Sequence, residues 1–153
     1  MKVISVWQPW ANLIVLGHKG YETRSWPAPA DMIGQRIGIA STKQLKAEQR
    51  TAAQRRTFQK HYQMAMFGWN CPSADMSMVD MYGPLGCIVG TAKLVACHKM
   101  TSRLIKAVGA RERNFGNWKI GDFAWLLVEP IALSSPIPVR GQQGVWNYEG
   151  PID

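Results

Sequence analysis

The chain has 153 residues, 46% of them apolar and 18% charged. That is one domain's worth of sequence, long enough to bury roughly 68–70% of the surface of the unfolded chain, and too apolar for a disordered tail. Eighteen Lys and Arg against ten Asp and Glu give a net charge of +8 and a pI near 9.7, the electrostatic footprint of a polyanion binder. The longest uncharged apolar run, residues 3–16, is broken by Gln8, Pro9 and Asn12 and falls short of a bilayer span, so no membrane partner is expected. No secretory signal is read at the start of the chain. Cys71, Cys87 and Cys97 are odd in number and unpaired in spacing, which fits reduced thiols in the cytoplasm.

In chain order, Val3, Ile4, Val6 and Trp7 read as a strand. Pro9 suits the start of a helix, Trp10, Leu13, Ile14 and Gly17 fall on one helical face, and Gly17 closes it in the left-handed conformation. Residues 21–26 read as extended until Pro27 and Pro29, and Ile37, Ile39 and Ala40 as a short strand. Residues 43–67 contain neither Gly nor Pro until past their end and are rich in Ala, Gln, Lys and Arg, which predicts one long helix. Residues 70–83, with Met76, Met78 and Met81, read as a loop. Residues 86–96 and 122–133 read as buried strands, with a short helix over 102–108 between them. Pro136, Pro138, Gly141 and Gly144 predict a final loop before Val145 and Trp146. The whole is a single domain over residues 1–153, with a basic helical insertion at about 43–82.

The cations cluster. Lys43, Lys46, Arg50, Arg55, Arg56 and Lys60 are opposed only by Glu48, and the block from Lys93 to Lys119 is opposed only by Glu112. The sharpest cluster follows the first helix: Lys19, Glu22 and Arg24, with Glu22 and Arg24 on one face if residues 21–26 are extended, because strand side chains alternate. Such a trio can bind a phosphate, orient a base or remain a surface ion cluster. Of the seven Trp, most are expected in the core, while Trp26 and Trp146 flank polar loops and are the candidates for a cleft wall. Cys97-His98, His18 and His61 lack metal-ligand spacing, and no nucleotide-cofactor motif is present, so neither metal nor cofactor is expected.

The stretch from Ser5 to Ala11, SVWQPWA, followed by Gly17-x-Lys19-x-x-Glu22-x-Arg24, resembles the ASCH family, the activating-signal-cointegrator homology domain. The segments 121–127 and 136–146 are similar to the ending of that family's cointegrator-type members. The resemblance implies an α+β fold, a PUA-like small β-barrel with peripheral helices. Its G-x-K-x-x-E-x-R motif would line a cleft at the barrel mouth, facing the loop that leads to Trp146. It also implies nucleic-acid binding, of RNA or single strands, at the matching segments with Gln8, Lys19, Glu22, Arg24 and Gln143; the cation cluster adds Lys43, Lys46, Arg50, Arg55 and Arg56, and the polar flanks add Trp26 and Trp146, as further candidate contacts. The alternative that it implies is a hydrolase, either an amidohydrolase on N4-acylcytidine-like nucleosides or a ribonuclease. In that reading Lys19 is the base, Glu22 activates water and Ser41 or Thr42 supplies a hydroxyl. The amidohydrolase branch carries Thr where this chain has Glu22. The charge balance favours binding, since a nucleoside carries no phosphate to attract these cations.

Overall fold

The computed structural model describes residues 1–67 and 82–152; the predicted loop over 70–83, with Cys71 and its methionines, lies almost wholly outside them. Strands β1 (Lys2–Val6) and β3 (Arg36–Ser41) pair in parallel, Val3 opposite Gly38 and Val6 opposite Ser41. On the far side of β1 runs β6 (Val145–Asn147), antiparallel. Two long strands continue the sheet, β4 (Cys87–Lys99) antiparallel to β3 and β5 (Phe123–Pro138) antiparallel to β4, and β2 (Tyr21–Arg24) closes the edge on β5. The order is β2-β5-β4-β3-β1-β6.

This sheet is curled. In a flat sheet β2 and β1 would lie four strand spacings apart, about 19 Å. Yet Arg24 Nη2 on β2 donates to the Ser5 carbonyl of β1 at 2.7 Å. The curl comes from the long strands: register shifts at Ile88/Gly90, Thr91/Lys93 and Leu94/Ala96 are the kind of irregularity that bends a strand and sharpens its twist. Together with the peripheral helices, this half-barrel gives the α+β architecture expected.

Helix α1 (Trp10–Val15) lies between two cores. Ala11, Ile14 and Val15 join Ile4, Val6, Ile37, Ile39, Leu94 and Trp125 against the sheet. Gly90 is required there, because a Cβ would stand 2.4 Å from the Ile131 carbonyl and 2.6 Å from Val15 Cγ1. Leu13 instead turns to a second cluster with Ala53, Phe58, Tyr62, Tyr82 and Phe115.

That second cluster explains why the long helix expected over 43–67 is two helices, α2 (Ala47–Ala53) and α3 (Arg56–Phe67). Residues five apart sit roughly 140° apart on a continuous helix. Ala53 and Phe58 both enter the same cluster from either side of a break, which no Gly or Pro announces. The helix expected near 102–108 is α4 (Ser102–Ala107), capped by the Thr101 hydroxyl, which accepts from the Leu104 N–H at 3.1 Å. Helix α5 (Ala110–Phe115) lies where no helix was expected. Pro136 and Pro138, expected in a loop, belong to β5. Strand β2 covers β5 only from Phe123 to Leu126, so the later prolines face an open edge where their missing N–H leaves no ladder bond unmade. No helix among the described residues is long and apolar enough to cross a membrane.

Candidate functional site

The chain leaves α1 through Gly17, whose φ of +80° is the left-handed turn. The His18 and Lys19 amides then both donate to the Leu13 carbonyl, at 2.8 and 3.0 Å. This tight exit folds Lys19 inward until only 3% of it is exposed. Its Nζ donates to the Tyr21 carbonyl and stands 3.6 Å from Glu22 Oε2. Alternation along β2 puts Glu22 and Arg24 on one face, with Arg24 Nε 3.0 Å from Glu22 Oε1. The guanidinium lies 5.8 Å from the ring centroid of Trp26 and 5.9 Å from that of Trp125. A buried charge is tolerable only when paired, and here three charges share one cluster. Among the described residues, however, no hydrogen bond to the Glu22 carboxylate is aligned: Lys19 donates to Tyr21 and Arg24 to Ser5, so Glu22 keeps acceptor capacity.

These three residues line a cleft of about 560 Å³. The first wall comes from the chain after β1, with Trp7 and Trp10. The second comes from α2, α3 and the turn between them, with Glu48, Ala52, Arg55, Thr57 and Phe58. The third comes from α5 and the turn after it, with Arg113, Asn114, Phe115 and Asn117. Phe58 and Phe115 meet edge to face, centroids 5.4 Å apart, and join the two helical walls. Trp7 is 37% exposed, an unusual state for a tryptophan with a whole core within reach. Four cations and two carboxylates border the space, which leaves its field positive.

Three ties bind the third wall to β2. Glu112 accepts from the Gly20 N–H through Oε2 and from the Tyr21 N–H through Oε1, each at 3.0 Å. The Asn117 N–H donates to Thr23 Oγ1 at 3.0 Å, and Trp118 packs edge to face on Tyr21 while its indole N–H donates to the Glu112 carbonyl. Beside this junction, partial burial and then the charge of Arg111 hold the His18 imidazole below its ordinary pKa.

Of the residues the sequence nominated, the structure gathers Lys19, Glu22, Arg24 and Arg55 in the cleft. The others lie elsewhere. Ser41 is buried at the end of β3, where its hydroxyl accepts from the Cys87 N–H and donates to the Cys87 carbonyl, so it is a strand tie and not a hydroxyl for chemistry at Lys19. Gln8 is fully buried; its side chain bonds Asn12 and the Pro84 carbonyl, and Gln49 Nε2 donates to its backbone oxygen at 2.5 Å. Trp26 stacks edge to face on Trp125 at 4.8 Å and supports Arg24 from behind. Trp146 packs with Val3, Ala40 and Ile88, its indole N–H on Ser5 Oγ. The cleft is walled by the helices, and the loop before Trp146 meets its lining at Ser5, whose hydroxyl donates to the Gln142 carbonyl at 2.7 Å. Lys43, Lys46, Arg50, Arg56 and Gln143 are exposed and border other surfaces.

Sequence reasoning missed Trp7, Trp10, Arg113 and Asn114. Trp7 follows directly on β1 and so escapes the alternation that buries Val6, while Arg113 belongs to the second basic block, so composition carried a trace of it. Among the described residues no three His, Cys, Asp or Glu side chains converge as metal ligands.

Residues 4–137 match the family model of the ASCH domain. Activating signal cointegrator 1 of Homo sapiens and of Mus musculus are each 24% identical over 149 residues, which is 97% of this chain and 22% of the relative. The chain thus spans well under half the length of these curated relatives. The crystal structure of ASCH from Zymomonas mobilis has a similar fold: TM-score 0.56 and 20% identity, over 97% of this chain and 87% of that one.

Proposed function

The chain belongs to the ASCH domain family, and from that premise we propose that its cleft binds nucleic acid, RNA or single-stranded, by taking in one unpaired nucleotide. The observation that carries this reading is the composition of the cleft: the Lys19–Glu22–Arg24 floor beneath a rim with Arg55, Arg113 and an exposed Trp7. Rim cations suit phosphates, where each contact releases counterions. An exposed indole suits stacking with an unstacked base. A carboxylate with free acceptor capacity suits an exocyclic amine at a base edge, and Lys19 and Arg24 supply donors beside it. Free Cys87 and Cys97 suit a reducing compartment, the cytoplasm.

The hydrolase reading keeps Lys19 and Glu22 but loses Ser41 as its hydroxyl, so no described observation favours it over binding. The test is a titration of short single-stranded RNA, single-stranded DNA and duplex at several salt concentrations, with a parallel incubation with N4-acetylcytidine. Two phosphate contacts predict that log K falls with log salt with a slope of at least about −1.4 for single strands. Absent or salt-insensitive binding would overturn the proposal, and released cytidine would put the hydrolase first.

A further inference from the structure

Glu112 is the one acid in the second basic block, and its carboxylate does not face the cations around it. It reaches to the loop between Lys19 and Glu22 and takes both successive amides, Gly20 and Tyr21, at 3.0 Å each. Those amides lie immediately before the Tyr21–Glu22 peptide, whose Tyr21 carbonyl receives Lys19 Nζ. The neighbours of Glu112 in α5 are Arg113, Asn114 and Phe115, all in the wall of the cleft. One side chain thus connects the wall and the floor.

We infer that Glu112 is a positioning residue for the cleft. Its carboxylate fixes the Gly20–Tyr21 peptide and so the geometry of Lys19 and Glu22, while the same bonds seat the wall that carries Arg113. Two amide-to-carboxylate bonds are charge-assisted and directional. They hold the loop in one register without contributing a contact to the ligand. The inference rests on the binding reading above for its functional consequence, and on the two hydrogen bonds alone for its structural part.

Electrostatics and positioning predict opposite signs. Glu112 is a negative charge beside a site proposed for a polyanion, so its removal as a charge alone would tighten binding. As a positioning residue its removal weakens binding. Glu112→Gln keeps the shape and one acceptor oxygen, but turns an NH2 group toward the second amide. The expected result in the full chain is an affinity for single-stranded RNA lower by about tenfold, the equivalent of roughly 1.4 kcal/mol, with an unchanged salt slope because no phosphate contact is lost. Asp31→Asn, which removes the same charge from an exposed position, should leave affinity unchanged or tighter. In parallel, amide exchange at Gly20 and Tyr21 should accelerate by about tenfold, with the β3 amides unchanged. Unchanged or tighter binding by Glu112→Gln would overturn the inference. So would unchanged protection at both amides, or an equal loss of protection throughout the chain. If the wild-type chain binds no RNA, the function proposed above falls, and the exchange at Gly20 and Tyr21 decides this inference by itself.

Discussion

Replacing Arg24 by Ala removes the bond that holds two distant strands of the curled sheet together. Arg24 Nη2 donates to the Ser5 carbonyl at 2.7 Å, and the guanidinium packs within 6 Å of two indoles, with 16% of the side chain exposed. A charge-assisted hydrogen bond contributes about 1.5–3 kcal/mol and partly desolvated cation–π contacts about 1 more. Loss of the Glu22 partner at 3.0 Å adds to this, though Lys19 remains 3.6 Å from the carboxylate. A total near 3 kcal/mol corresponds to a Tm lower by about 6–12 °C in a chain of this size. Arg24→Lys keeps a charge near Glu22 but lacks the planar fork that reaches Ser5 and faces the rings, so it should fall between the two. Thermal unfolding followed by circular dichroism reads all three proteins. A shift smaller than about 2 °C for Arg24→Ala would refute the reasoning and leave Arg24 as a ligand contact alone.

The rim should behave differently from the floor. Trp7→Ala is expected to leave Tm nearly unchanged and to weaken RNA binding by about 1–3 kcal/mol, the usual worth of one stacked base; an unaltered Kd would remove Trp7 from the site. Arg55→Gln should reduce the single-strand salt slope by about 0.7, whereas Arg56→Gln, outside the cleft, should not; equal effects would mean that the whole basic segment from Lys43 to Lys60 acts as a diffuse surface. Stability should also vary with pH through His18. Its folded pKa lies below the unfolded value of 6.5, so the unfolded chain binds more protons in between. The contribution is complete above about pH 6.5 and is lost as pH falls through the lowered folded value. His18→Asn should flatten the rise of Tm across that range, and Arg111→Gln should reduce it less, because burial is the larger cause.

The floor of the cleft was legible in the sequence because it is local. A left-handed glycine, a two-residue period and three charged residues within six positions are enough to place Lys19, Glu22 and Arg24 together. The walls were not, because they are made by contacts distant in sequence. Phe58 meets Phe115 across 57 positions, and the helix break just before Phe58 has neither Gly nor Pro to announce it. Trp146 looked like a cleft residue because it follows a polar loop, yet pairing of β6 with β1 carries it into the core. Arg55 and Arg56 are the same residue type and adjacent in sequence, yet Arg55, in the turn between α2 and α3, borders the cleft and Arg56, at the start of α3, does not.

The bonds within the floor have a thermodynamic consequence for any guest. Freezing a long charged side chain costs about 1.5–2 kcal/mol of conformational entropy. For Lys19 and Arg24 that cost is met when the chain folds, since Tyr21 and Ser5 already hold them. On the proposed function, an arriving nucleotide would find a floor already held in place and would lose little by engaging it. Trp7 and Arg55 still have their freedom to lose at the rim, so capture would be loose and salt-sensitive while discrimination would reside in the part of the site that does not move.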